Sequence, residues 1–355
     1  MTILSRYVSS RFFFYFALVL AAMTALALAL ELMEQADNVL RSTSDGALAL
    51  LRYSGLRTPD VIARMLPIAT LLGMLFALAQ FMRHSEMVAM WGSGVSPTAL
   101  IRGMLPVALG LGAATFANND FAVPEAQGVL RSMGFAGERG GAFSAGKGEA
   151  QWLLSGQDIV RLRLPPINGA PADISIFRRD ADGKLTERID ARSATPEGQG
   201  WMLTGVTRYM IEPATTSRLP DLYWNGRIDV AALPLIASDM RELGSRRLMH
   251  LVEHEAYGQA PTDRFRTWLH ARIASAVVPG LMVFLVISLA QRFRRSGAIG
   301  PLLLSSTGVG FAYFILDGIC LTMGETGLLP PWFAAWSPKL ALASLIGSFI
   351  SYADG

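Results

Sequence analysis

Two stretches of the 355-residue chain have the spacing that chemistry uses. His250-Leu-Val-Glu253-His254 matches H-x-x-E-H, the inverted zinc-protease pattern. On a helix, histidines four apart could share a metal and Glu253 could serve as a base, with Glu325 conceivable as a third ligand. The pattern fixes only three positions. With Arg246, Arg247 and Glu255 around it, a solvated helix beside a membrane is the simpler account. Gly141-Ala-Phe-Ser-Ala-Gly146-Lys147-Gly148 comes near the phosphate-binding G-x-x-x-x-G-K-[ST], but Gly148 stands where a hydroxyl must meet magnesium, and no Val/Ile-rich strand feeds it. A flexible loop is the better reading. No G-x-S-x-G elbow occurs, and Cys320 has no neighbouring base. The expectation is no catalytic residue, no resident metal and no cofactor.

The composition points to a membrane. Only 17% of residues are charged, against about 25% in a soluble domain. The shortage is uneven: 37 of the 59 charged side chains (19 acidic, 18 basic) lie between Asp120 and Arg266. Apolar segments flanking a water-exposed insert fit this distribution. The net charge of +3 comes from dispersed arginines, so no nucleic-acid partner is expected. A single cysteine excludes an internal disulfide.

Charge-free runs predict six spans: Phe12–Leu30, Met65–Met82, Gly103–Asn119, Ile273–Ala290, Ser296–Leu316, and about Trp332 to Tyr352 interrupted by Lys339. The third is short, and the first is read as a retained span rather than a cleaved signal. Arg6, Arg11, Arg83, Arg102, Arg292, Arg294 and Arg295 all fall on one side, so both termini are expected in the cytoplasm. Arg41, Arg52 and Arg57, in the predicted first outer loop, break the rule. Residues 120–266 then form an exported insert between helical segments 1–119 and 267–355. Short strands at Gln151–Leu154, Asp158–Leu164, Asp173–Arg178 and Gly200–Ile211, with a turn at Asp182-Gly183, predict a small β-sandwich or open barrel. From about Leu235 the pattern turns helical, with Leu248, Leu251 and Val252 on one face.

Charges within spans are the usual pointers to function. Asp317 either marks a membrane boundary, the favoured reading, or contacts substrate or a partner helix. Lys339 either snorkels to the interface or binds lipid phosphate. Glu31 and Glu34 fall at the outer end of the first span. Arg83–Pro97 is the most informative segment: Met87, Met90 and Trp91 would share one side of a short helix that Gly92 or Gly94 caps. Such a helix rests on lipid or enters a partner's groove. Its polar face offers Glu86 rather than lysine, which favours a groove containing a base; an interfacial turn is the bland alternative.

Leu66-Pro67 through Gly73, followed by Ser85-Glu86-Met-Val-Ala-Met90-Trp-Gly-Ser-Gly94-Val-Ser96, resembles the signature of the lipopolysaccharide export permeases, the LptF/LptG family. Arg6-Tyr7, Val123-Pro124 and the six-span plan also fit. Phe311–Asp317 followed by Gly318, and Trp268 with Arg272-Ile273, look more like the LptG member than its LptF partner. The resemblance implies six membrane helices with an inserted periplasmic β-jellyroll-like domain, in the bacterial inner membrane. It implies a cytoplasmic ATPase dimer (LptB-like) docked at about 83–97, a second permease (LptF-like), a single-span clamp protein (LptC-like), and a cargo of lipopolysaccharide among membrane lipid.

Carried onto this chain, the ATPase-coupling residues are Ser85, Glu86, Met87, Met90 and Gly94. The substrate-binding candidates are Arg131, Arg41, Phe311, Asp317 and Lys339. LptG-type members often have lysines at the outer end of span one; here Glu31, Glu34 and Asp37 stand there, which puts the phosphate contacts in question. The LptF-like partner, a membrane zinc peptidase and an ATPase-anchoring scaffold are the competing readings.

Overall fold

A computed structural model describes residues 3–42, 46–92, 94, 96–133, 150–155, 157–163, 172–180, 182–198, 200–226, 240–253, 262–293 and 298–354. The chain forms two compact units, Met1–Phe135 with Asp263–Gly355, and Ala136–Thr262.

In the first unit the apolar runs become helices longer than the runs themselves. These are α1 (Ile3–Ser42), α2 (Ala47–Arg83), the short α3 (Glu86–Gly92) and α4 (Pro97–Ala117), which continues through a π-helical turn (Asn118–Ala122) into α5 (Val123–Ser132). Among the described residues, five helices are long and apolar enough to cross a membrane, or six if a bent pair is one span. The span that looked short in sequence is not short, because α4, the π turn and α5 form one continuous 33-residue stretch from Thr98 to Leu130. Asp120 ends the charge-free run but does not end the helix. The bent span joins Asp263–Ser275 to Val278–Arg292 at 50°. Pro279 in the first turn of the second piece cannot donate a backbone hydrogen bond, which accounts for the break.

That second piece is the hub of the unit. Nearly every residue from Val278 to Gln291 is buried, as expected of a helix apolar all round. α1, by contrast, packs one flank and leaves Phe14, Leu18 and Leu26 exposed. Its buried flank holds Val8, Phe12 and Phe16. There Gly73 of α2 lets the helices meet backbone to backbone: a Cβ at Gly73 would lie 2.7 Å from Phe16 Cα. Small residues at such crossings are how membrane helices gain contact without a hydrophobic driving force between them.

The second unit carries one antiparallel sheet whose six strands pair in chain order: β1 (Ala150–Ser155), β2 (Asp158–Arg163), β3 (Ala172–Arg179), β4 (Leu185–Glu197), β5 (Gly200–Met210) and β6 (Thr215–Trp224). Val160, Leu162, Ile174, Ile176, Ile189, Leu203 and Trp224 form its apolar face. Trp224 Nε1 of β6 donates to Asp158 Oδ2 of β2 at 2.9 Å. Those strands would be about 19 Å apart in a flat sheet, so this one is strongly coiled, as the open-barrel expectation requires.

The Asp182-Gly183 turn forms as its residues predict. Gly183 has φ 81°, and Asp180 Oδ1 accepts from the Asp182 and Lys184 amides. Two strands were not legible in the sequence. β4 alternates Ile189, Ala191 and Ala194 inward with Arg188, Asp190 and Arg192, so little about it looks apolar. β6 contains Pro220, which an edge strand tolerates because one of its faces needs no ladder donor. Glu187 is buried between Arg178 and Arg208. Its hydrogen bond to Arg208 holds that guanidinium above its ordinary pKa. After the sheet, α6 (Ser245–Glu253) buries Leu248 and Leu251. The return to the helical unit is α7 (Thr262–Ser275) and α8 (Val278–Arg292), then α9 (Ile299–Glu325) and α10 (Pro331–Asp354).

Candidate functional site

The turn between α2 and α4 is built to present a short helix. α2 ends at Arg83, and the His84 amide folds back onto the Gln80 and Met82 carbonyls. Ser85 then takes a left-handed φ of 57°, a conformation uncommon outside glycine, and this reversal starts α3 at Glu86. Beyond α3, Gly94 is again left-handed at φ 83°. Ser96 caps α4 by accepting from the Ala99 amide at 3.1 Å, with Pro97 at the first helical position.

Met87 is 1% exposed and belongs to the helical core, and Met90 packs against that core. The apolar side of α3 therefore seats it on its own chain rather than waiting for a partner's groove. Ser85, Ala89 and Gly94 remain exposed, while Glu86 is half-buried. Tyr7 of α1 donates its hydroxyl to Glu86 Oε2 at 3.0 Å. The Trp91 side chain lies outside the described residues.

A second cluster joins α1 to α2 far from α3. Glu31, 5% exposed, is hydrogen-bonded by Arg57 Nε and, at 3.2 Å, by Tyr53. Arg57 lies 3.5 Å from Asp60, and Arg64 lies 2.6 Å from the same carboxylate. This corrects the outer-loop reading of two arginines. α2 begins at Ala47, so Arg52 and Arg57 are helical rather than loop residues, and Arg57 is buried against a countercharge.

The third cluster corrects two expectations. Asp317 lies well inside α9 rather than at its end, and Lys339 is 4% exposed rather than reaching for an interface. The two side chains form an ion pair that ties α9 to α10. Charge-free runs could not show this, because each group is tolerated through a partner on another helix.

Several further contacts, whose partners the sequence did not reveal, close the unit. Arg272 donates to the Asn119 carbonyl at 2.7 Å, satisfying a group in the π turn, and Asn118 reaches the Pro59 carbonyl at 2.9 Å. Trp268 Nε1 donates to Glu325 at 2.5 Å, which joins α7 to the end of α9. The only hint in the sequence was the Trp268–Arg272 spacing.

Of the substrate candidates, the structure brings together Asp317 and Lys339. Phe311 is exposed on α9 beside Ile315 and Leu316. Arg41 and Arg131 fall in α1 and α5, but their side chains lie outside the described residues. Residues 141–148 and His254 also lie outside the described residues, as does the Glu253 side chain; His250 is exposed on α6.

A family model described as "Lipopolysaccharide export system permease LptF/LptG" matches residues 6–352. The chain belongs to the LptF/LptG family. Similar proteins include the lipopolysaccharide export system permease protein LptG of Haemophilus influenzae, 24% identical with 98% of each chain covered. The protein of the same name from Escherichia coli K12 is 21% identical, covering 95% of this chain and 94% of that one. A member of this family with five or six membrane-length helices is an inner-membrane protein, and the LptF/LptG match runs through both helical segments and the sheet between them.

Proposed function

We propose that the chain is an LptG-like permease subunit of an ABC transporter that extracts lipopolysaccharide from the inner membrane and drives it towards a periplasmic bridge. The observation that carries this reading is α3. It is a short helix between two spans, held to its own core by Met87 and offering an acidic side chain beside an exposed surface. An element of that kind receives force rather than generating it. The work comes from a cytoplasmic ATPase dimer whose basic residue pairs with Glu86, with Ser85 and Gly94 flanking the contact. The termini lie in the cytoplasm, segments 1–119 and 267–355 lie in the membrane, and segment 120–266 lies in the periplasm beside an LptC-like clamp.

A second permease, LptF-like, completes the cavity. Relatives named LptG favour the LptG-like assignment over the LptF-like one. Arg131, Arg41 and Phe311 are the groups proposed to meet the lipid's phosphates and acyl chains. Asp317 and Lys339, held by one another, brace α9 and α10.

Glu86→Ala tests the reading. A charge-assisted hydrogen bond is worth about 1.5–3 kcal/mol, so ATPase docking is expected to weaken roughly ten- to hundredfold. The permease itself should still fold, because Glu86 lies outside its core. Quantifying the ATPase retained on tagged permease, alongside the permease melting temperature, checks both. Full retention with normal export would count against the proposal.

A further inference from the structure

We infer that Tyr7 is a positioning residue that links the coupling helix directly to α1. The inference rests on the coupling role proposed for Glu86 and adds the route by which movement leaves it. A carboxylate has two oxygens and about four lone-pair sites. Tyr7 uses Oε2 alone, at 3.0 Å, which leaves Oε1 to a guanidinium or ammonium from a partner. One acidic side chain can thus hold an outside base and an inside hydroxyl at once.

The tyrosine is 39% exposed but held on both sides of its ring. Its ring lies 5.6 Å from that of Phe81 near the end of α2, and Arg11 Cζ, one turn on in α1, stands 5.7 Å from the ring centroid. Val8, one residue on, is fully buried, and Ser9, which donates to the Ser5 carbonyl at 2.7 Å, packs 3.4 Å from Met104 Sδ of α4. A pull on α3 therefore reaches the first turns of α1 through a bond spanning 79 residues of sequence, not only through α2.

α1 is also the span that the chain encloses least: only 6% of its most apolar window is buried, against 56% for α2. Its packing is concentrated on α2, at the Gly73 crossing and the Glu31–Arg57 pair, so few other helices resist its movement. Ser85, left-handed before α3, and the capped start of α4 define the ends between which α3 can rock. The structure therefore places α1 as the first mover, with the Tyr7 hydroxyl as the contact that moves it.

The experiment uses the whole transporter, reconstituted in proteoliposomes with its copurifying ATPase and partner permease and loaded with purified lipopolysaccharide. ATP hydrolysed and lipopolysaccharide released are measured together. Tyr7→Phe keeps the ring on Phe81 and removes only the hydroxyl. The expected result is hydrolysis within about twofold of the parent and lipopolysaccharide released per ATP lowered about five- to tenfold, the scale of one hydrogen bond to a charged group.

An unchanged yield per ATP overturns the proposal. Parallel loss of hydrolysis and release, or loss of the assembled complex, also overturns it, because that outcome would make Tyr7 a docking or folding residue. Glu86→Ala is run alongside to separate the two claims. If it disrupts docking while Tyr7→Phe is silent, only the α1 route fails. If Glu86→Ala is itself silent, the coupling reading beneath both fails.

Discussion

Glu31→Ala is expected to destabilise the helical unit by about 3–5 kcal/mol, the cost of stranding a buried charge. The group left behind is the Arg57 guanidinium, 5% exposed, which loses the carboxylate bonded to its Nε and lies farther, 3.5 Å, from Asp60. Asp60 is already shared with Arg64 at 2.6 Å, so it cannot fully replace Glu31, and the Tyr53 hydroxyl loses its hydrogen bond to that carboxylate. Removing both charges should be far milder. A Glu31→Leu, Arg57→Met double variant fills similar volume, and such swaps are often neutral or stabilising. Thermal unfolding in detergent of the parent, single and double variants checks this ordering. A Glu31→Ala protein as stable as the parent would show that the cluster is solvated rather than buried. The cluster also gives a physical reason for an acidic residue at the end of the first apolar run: Glu31 neutralises Arg57 of its own chain.

The second large effect is expected at Asp317 and Lys339. Asp317→Ala leaves an ammonium inside the α9–α10 hairpin with its countercharge gone. A lysine within a span costs about 2.5–3.5 kcal/mol, and Lys339, 4% exposed, cannot reach an interface without unpacking α10. The yield of folded protein in the membrane should fall accordingly. The exchange Asp317→Lys with Lys339→Asp restores the pair and should recover most of the yield, whereas either half alone should not. Because the pair is enclosed, salt should change the result little. Recovery of each single variant to parental yield would contradict a bracing role.

What was legible in the sequence follows from what a sequence can carry. Spans announce themselves because lipid excludes unpaired charge, so Phe12–Leu30 and Met65–Met82 lie inside α1 and α2. The short helix at Glu86–Gly92 was also readable, since the spacing of Met87, Met90 and Trp91 and a closing Gly92 or Gly94 are local signals. Long-range pairs were not. Nothing near Asp317 says that Lys339 faces it, and Arg57 resembles a loop residue until Glu31 is placed against it. β4 was hidden because its inward residues are small and its outward ones charged. Tyr7 entered only as part of a family resemblance; its role depends on a contact 79 residues away.

The central claim is that this chain is one permease of an ATP-driven lipopolysaccharide exporter. Mild solubilisation of the native membrane, purification through a tag on this chain and mass analysis of everything retained test it most directly. The account requires three companions in defined ratio: a cytoplasmic ATPase in two copies, one second permease of similar size, and bound lipopolysaccharide. Recovery of the chain alone, or with neither ATPase nor lipopolysaccharide, would contradict it.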